Sequence, residues 1–174
     1  MTRQELARQI ARTAVLRGNF TLRSGRSSNY YIDKYLFLTQ PAILKALGEL
    51  IAARLPPGTD KLAGAELGGV PLASSVSMAS GLPCVYVRNA RKEYGTARQI
   101  EGRLEAGDKV VIVEDVATTG GQALEAAEAL RAAGAEVLAI IATVDRQEGA
   151  RQNLENTGYR FEALFSASEL GIEP

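Results

Sequence analysis

The chain has 174 residues, and its 20 Lys and Arg side chains balance 20 Asp and Glu side chains, so the formal net charge is zero. A neutral chain of this length predicts one compact domain and argues against general binding to nucleic acid or to an anionic membrane. One cysteine excludes an internal disulfide, and the lack of histidine excludes Ser-His-Asp catalysis and most zinc sites.

The first part of the chain shows the patterns of a helix and two short strands. A capping box formed by Thr2 and Glu5 begins the helix, which we expect to end at Gly18. The segments FTLR (residues 20–23) and YYID (residues 30–33) predict two short strands with a polar connection between them.

Beyond residue 40, helical and strand patterns alternate. Helices are predicted at residues 41–55, 71–80, 124–134 and 149–156, and strands at residues 62–65, 85–88, 110–113, 137–144 and 161–165. This alternation predicts an α/β fold, with a twisted parallel sheet that carries helices on both faces. We expect residues 1–40 to form a small hood over the ligand edge of the sheet and residues 41–174 to form the core of the same single domain. No apolar run is long enough to span a bilayer and the first residues do not resemble a secretory signal, which predicts a cytoplasmic protein.

The most informative segment is a strand, loop and helix at residues 110–134. The β-branched run VVIV (residues 110–113) is typical of a strand buried on both faces, and it is followed by Glu114 and Asp115. The loop VATTGG (residues 116–121) then leads into the helix. A loop between a strand end and a helix start offers unpaired amides and the positive end of the helix dipole, so it predicts an anion site.

The two carboxylates restrict what this anion can be. Because they repel a phosphate, Glu114 and Asp115 should face another part of the ligand, either hydroxyl groups or a divalent cation. A ligand with both hydroxyls and a phosphate is a sugar phosphate. No Lys follows the glycines, as a nucleotide triphosphate loop would require, and no GxGxxG motif opens the helix for a dinucleotide. A receiver-domain phosphoacceptor pocket would not have TTGG beside its acids.

Two further segments fit a phosphorylated ligand. The loop ELGGVP (residues 66–71) is a second glycine-rich strand-to-helix connection, although a tight turn alone would also explain it. The segment RNARKEYGTAR (residues 88–98) carries several cations, which suits a loop that closes over a departing pyrophosphate. A solvated surface would show the same charge run.

Residues 111–121 resemble the phosphoribosyl pyrophosphate signature of the type I phosphoribosyltransferases. Three more segments narrow the resemblance to the orotate phosphoribosyltransferases and extend it over nearly the whole chain. They are FTLRSGRSSNYY (residues 20–31), the pattern Arg88-x-x-x-Lys92-x-Tyr94-Gly95, and VDRQE (residues 144–148).

The resemblance implies a role for each matching residue. Glu114, Asp115 and Lys92 would be catalytic. The phosphoribosyl pyrophosphate site would comprise Arg23, Gly68, Arg88, Arg91, Lys92, Tyr94, Glu114, Asp115, Val116, Ala117, Thr118, Thr119, Gly120, Gly121 and Gln122. Orotate would contact Tyr31, Ile32, Thr118 and Arg146, whose planar guanidinium can grip the orotate carboxylate through two parallel hydrogen bonds.

The chain departs from the family pattern at several of these positions. Tyr94 stands where the family commonly has His, and Asn89, Gly68 and Arg23 each stand where it has Lys. Tyr94 cannot form an imidazolium, so any proton transfer by the family His must be managed differently here. Arg91 can replace the missing loop cation from a shifted position.

The implied reaction transfers a phosphoribosyl group from phosphoribosyl pyrophosphate to orotate, with Mg2+ carried by the donor and no direct protein ligand to the metal. The resemblance also implies that residues 89–103 close over the site and that a homodimer shares its active sites. Two alternatives remain from the sequence: a phosphoribosyltransferase for another base, and a non-catalytic regulator that senses phosphoribosyl pyrophosphate.

Overall fold

We describe a computed structural model of the chain that covers residues 1–21, 25, 27–89 and 99–172. The strands are β1 (Val15–Thr21), β2 (Ser27–Ile32), β3 (Lys61–Ala65), β4 (Cys84–Val87), β5 (Ile100–Glu101), β6 (Lys109–Ala117), β7 (Glu136–Asp145) and β8 (Phe161–Ser166). The helices are α1 (Arg3–Ala14), α2 (Lys34–Leu38), α3 (Pro41–Ala52), α4 (Gly69–Ser80), α5 (Gly121–Ala132) and α6 (Ala150–Asn156), with a 3-10 turn at Ser168–Leu170.

The centre of the fold is a six-stranded sheet in the order β5-β4-β3-β6-β7-β8. Strands β3, β4, β6, β7 and β8 are parallel, and β5 pairs antiparallel with β4 at the edge. The predicted parallel α/β fold is therefore confirmed. The antiparallel strand β5 was not predicted, because two residues are too few to show a period.

The run VVIV is buried, as predicted, because helices cover both faces of the sheet at β6. Val111 and Val113 pack into one hydrophobic cluster, which includes residues of α1, α3 and α4. Val110 and Ile112 pack into a second cluster with residues of α5 and α6. Side chains alternate between the faces of a strand, so a strand covered on both sides needs apolar residues at every position. Within the part of the chain that the structure describes, no helix is long and apolar enough to cross a membrane.

The N-terminal part differs from the prediction in its boundaries. Helix α1 has the predicted capping box but ends at Ala14, four residues before Gly18. Val15 already pairs with Ile32, because the hairpin of β1 and β2 begins there. The short helix α2 was not predicted, and α3 ends at Ala52, before the expected residue 55.

This N-terminal part is packed onto the sheet. Leu6 of α1 and Phe37 of α2 are fully buried in the same cluster as Val111 of β6. Residues before and after position 40 therefore share one core, and the separation of a hood at that position stays a prediction. Helix α2 lies between β2 and α3 in the chain, and its first residue, Lys34, reaches Asp115 near the carboxyl end of β6.

Candidate active site

The two predicted acids lie inside strand β6 and not beyond its end. The strand extends through Ala117, so the loop predicted at residues 116–121 contains only Thr118, Thr119 and Gly120. Parallel pairing with β7 explains the extension, because Val116 pairs with Val144 and Ala117 with Asp145. Strand pairing therefore holds the acids on the rigid sheet.

Glu114 and Asp115 form a buried acid pair with exposures of 4% and 1%. The amide of Asp115 donates to Glu114 Oε1 at 3.2 Å, and Glu114 Oε2 has no hydrogen-bond partner among the described residues. Burial, followed by repulsion from Asp115, raises the pKa of Glu114 well above its ordinary value. A ligand hydroxyl that donates to Glu114 Oε2 would stabilise the ionised carboxylate, as the sugar phosphate hypothesis requires.

Lys34, the first residue of α2, provides the counter-charge for this pair. Its Nζ lies 2.8 Å from Asp115 Oδ2. Burial alone would lower the pKa of Lys34, but attraction to Asp115 and a hydrogen bond with it leave that pKa raised. The lysine therefore remains charged at neutral pH.

The loop of Thr118, Thr119 and Gly120 leads into α5 with the geometry of an anion site. Gly120 has φ 82, and a Cβ there would lie 2.9 Å from Leu154 Cγ, so only glycine fits. Asn153 Nδ2 donates to the carbonyl of Thr119 at 2.9 Å, and the amide of Ala150 donates to the carbonyl of Thr118 at 3.2 Å. These bonds fix the loop through its carbonyls. Among the described residues, no side chain caps the start of α5, so its first amides are available to an anion.

The second glycine-rich loop, which connects β3 to α4, lies directly against the acids. A Cβ on Gly68 would be 1.6 Å from Asp115 Oδ2, so the glycine allows this close approach. Gln122 Nε2 in α5 donates to the carbonyl of Glu66 at 2.7 Å and links the two loops. The amide of Asn89 donates to Glu66 Oε1 at 2.8 Å. The structure thus brings Gly68 and Gln122 together with the acid pair.

Arg146 follows the end of β7, the strand next to β6. Its amide donates to the carbonyl of Ala117 at 2.9 Å, which ties it to the neighbouring strand. Nη2 lies 2.9 Å from the hydroxyl of Tyr30 and 2.8 Å from Glu148 Oε1, and the guanidinium lies 4.8 Å from the centre of the Tyr30 ring. Arg146 Nε has no hydrogen-bond partner within the described residues. A buried, oriented guanidinium of this kind can recognise a planar carboxylate.

Two of the other three residues predicted to contact orotate, Tyr31 and Ile32, lie on opposite faces of β2. Ile32 is buried in the core cluster at 5% exposure, whereas Tyr31 is 42% exposed and packs against the ring of Phe20 with centroids 5.7 Å apart. Neighbouring residues of a strand point to opposite sides, which a sequence pair does not reveal. Their contact with orotate, and that of the partly exposed Thr118, stays a prediction.

Arg88 lies directly after β4 and is held by residues near β5. Its amide donates to the carbonyl of Gln99 at 2.8 Å, and its Nη1 lies 3.9 Å from Glu101 Oε1. Four other predicted site residues lie outside the described residues, so their roles stay predictions: Arg23, Arg91, Lys92 and Tyr94.

Sequence reasoning missed two residues of the site. Tyr30 supports Arg146 across 116 positions of sequence, and Lys34 pairs with Asp115. The only signals available were the tyrosine beside Tyr31 and the lysine directly after the segment YYID. Neither signal identifies its distant partner.

Comparison with known proteins identifies the class to which this fold and site belong. Residues 37–157 match the family model described as "Phosphoribosyl transferase domain", so the chain belongs to the phosphoribosyltransferase family. The orotate phosphoribosyltransferase of Methanocella arvoryzae is 47% identical over 172 residues, which cover 98% of each chain. That of Pyrococcus horikoshii is 47% identical over 156 residues, covering 88% of this chain and 84% of the relative.

Solved structures support the same branch of the family. The orotate phosphoribosyltransferase of Mycobacterium tuberculosis H37Rv, crystallised with Fe(III) dicitrate, has a TM-score of 0.86 at 33% identity and covers 98% of this chain and 99% of its own. The same protein was also solved in complex with 5-phospho-alpha-D-ribosyl 1-diphosphate, with a TM-score of 0.80 at 32% identity over 98% of this chain and 99% of that one. The predicted family, orotate phosphoribosyltransferase, is therefore confirmed.

Proposed function

We propose that the chain transfers the 5-phosphoribosyl group of phosphoribosyl pyrophosphate to orotate, which yields orotidine 5-monophosphate and diphosphate for pyrimidine biosynthesis. One observation carries the proposal: three groups suited to three parts of the two substrates meet at one edge of the sheet. They are the buried acid pair of β6, the uncapped start of α5, and the oriented guanidinium of Arg146.

Each group suits one part of the chemistry. The amides at the start of α5 bind the 5-phosphate, and Glu114 and Asp115 accept hydrogen bonds from the ribose hydroxyls. Arg146 grips the carboxylate of orotate and directs N1 at C1 of the ribose. The bond between C1 and the diphosphate oxygen breaks with its electron pair leaving on diphosphate. Orotate N1 releases its proton to the departing diphosphate and forms the new bond to C1.

The acid pair also acts on the charge that develops during this transfer. C1 gains positive character as diphosphate departs, and the carboxylates of β6 stabilise it from fixed positions on the sheet. No covalent nucleophile is needed. Lys92, Arg88 and Arg91 offset the charge of the leaving group in this proposal, and residues 89–103 exclude water when they close.

The residues of the site fit magnesium that is carried by the donor. Lys34 already neutralises Asp115, which disfavours a second cation on that carboxylate. We therefore propose that the metal binds the diphosphate of the donor without a direct protein ligand. Magnesium bound there would supply positive charge that offsets part of the charge on the leaving group.

A cytoplasmic homodimer with shared active sites belongs to the same proposal. Two variants test whether the two subunits share their active sites. Lys92→Ala removes a cation of the proposed closing loop, and Asp115→Asn removes a carboxylate of the acid pair. If a loop completes the partner's site, mixing the two inactive variants restores part of the activity. If each site is built from one chain, the mixture stays inactive.

The activity itself is tested by the loss of orotate absorbance when purified protein is mixed with orotate, phosphoribosyl pyrophosphate and magnesium. Parallel reactions contain uracil, hypoxanthine or adenine as the acceptor. We expect turnover with orotate alone and none when magnesium is removed. Turnover of another base would change the assigned acceptor, and donor binding without turnover of any base would favour the regulator.

A further inference from the structure

Lys34 approaches the acid pair from outside the sheet. The Asp33 side chain accepts the amide of Tyr35 at 3.0 Å and so fixes the start of α2, from which Lys34 extends to Asp115. The side chain of Lys34 is 27% exposed, whereas that of Asp115 is 1% exposed. The side chain of Lys34 is therefore partly open to solvent where its ammonium group meets a buried carboxylate.

The side chain of Lys34 also runs beside Gly68. A Cβ built on Gly68 would lie 3.3 Å from Lys34 Cε, in addition to its clash with Asp115. The loop ELGGVP contains no cation of its own, and its one charged residue is Glu66. Lys34 consequently brings a positive charge to a loop that would otherwise present only a negative one.

Electrostatics make such a cation necessary. Two buried carboxylates would repel the diphosphate of the donor. Burial, followed by repulsion from Asp115, already raises the pKa of Glu114. An ammonium group has three N–H donors, so Lys34 can keep its contact with Asp115 and still donate to a ligand.

We propose that Lys34 supplies the cation that the loop ELGGVP lacks. Before the donor binds, Lys34 pairs with Asp115, and once the donor is bound, Lys34 also donates a hydrogen bond to the diphosphate of the donor. This inference rests on the proposed function, since it assigns a residue to the donor of that reaction. Negative charge on the diphosphate grows as its bond to C1 breaks, so Lys34 acts on the rate as well as on binding.

The experiment compares Lys34→Met with wild type and with Lys45→Met, a matched change at a lysine whose side chain is 80% exposed on α3. We expect Lys34→Met to raise the KM for phosphoribosyl pyrophosphate and the inhibition constant of inorganic diphosphate by about 10- to 100-fold. The KM for orotate should change by less than about threefold, because Arg146 is intact. Lys34→Arg keeps the charge and should recover part of the loss.

Three results would overturn the inference. One is an unchanged inhibition constant for diphosphate in a folded Lys34→Met protein, and another is an equal rise in the KM of both substrates. If Lys34→Met does not fold, Lys34→Gln replaces it, because glutamine can still donate a hydrogen bond to Asp115 but carries no charge. The third contradicting result is an unchanged inhibition constant for diphosphate in Lys34→Gln. If wild type and Lys45→Met turn over orotate, the proposed function holds even when the inference about Lys34 fails. If neither protein turns over orotate, the proposed function itself fails.

Discussion

Two buried charged clusters lie at the ends of neighbouring strands, and they differ in how completely their charges are matched. Arg146, after β7, has an acidic partner in Glu148, a hydroxyl partner in Tyr30 and an aromatic ring beside it. In β6, two carboxylates share one cation, Lys34, and burial, followed by repulsion from Asp115, raises the pKa of Glu114. The partners of Arg146 thus match its charge and fix its orientation, whereas Glu114 Oε2 has no hydrogen-bond partner among the described residues.

The largest expected effect comes from removing the organised cation. Arg146→Ala should lower kcat/KM for orotate by about 100- to 1,000-fold, because the carboxylate of orotate loses a charge-assisted, planar partner. Steady-state kinetics measure this loss, and Arg160→Ala, on an exposed arginine that pairs with Glu162, serves as the control. Binding of phosphoribosyl pyrophosphate, measured by calorimetry, should be nearly unchanged. A similar loss of donor affinity would show that the two clusters are not independent.

An intermediate effect is expected from crowding the acidic cluster. Gly68→Ala places a methyl group 1.6 Å from the present position of Asp115 Oδ2, so either the carboxylate or the loop must move. We expect kcat/KM for phosphoribosyl pyrophosphate to fall by about 10- to 100-fold, because the ribose hydroxyls lose an aligned acceptor. Steady-state kinetics with each substrate varied in turn provide the measurement. Full activity of this variant would mean that the position of Asp115 does not matter for the donor.

The smallest effect concerns stability and its dependence on pH. The pKa of Glu114 is raised on folding, so the folded state binds its proton more tightly than the unfolded chain does. The free energy of unfolding should therefore fall as pH rises from the ordinary carboxyl range through the raised pKa of Glu114. Glu114→Gln removes this loss and should be more stable than wild type at neutral pH.

Urea unfolding at a series of pH values measures this difference. Glu5, Asp108 and Glu169 have lowered pKa values and produce the opposite slope at acid pH, but they do so equally in both proteins. The difference between the two curves therefore isolates Glu114, and it should shrink as pH falls below the ordinary carboxyl pKa. Parallel curves at all pH values would mean that Glu114 carries no raised pKa.

The sequence predicted the sheet and the anion loop because both depend on neighbouring residues. The run VVIV, the acids after it and the glycines before α5 follow one another in the chain, so burial on two faces and a helix start could be inferred locally. The same local reasoning made α1 too long, because a helical pattern does not show that Val15 will pair with Ile32. Boundaries depend on such distant partners.

Sequence patterns alone were enough to infer an α/β fold with an acid pair and to predict an anion-binding loop, and the motifs indicated the family. Only the tertiary structure decided which charges meet. Lys34 pairs with Asp115, and Tyr30 supports Arg146, across long separations in the chain. Such pairs have no period or spacing in the sequence, because they form only when α2 and β2 pack against the carboxyl edge of the sheet.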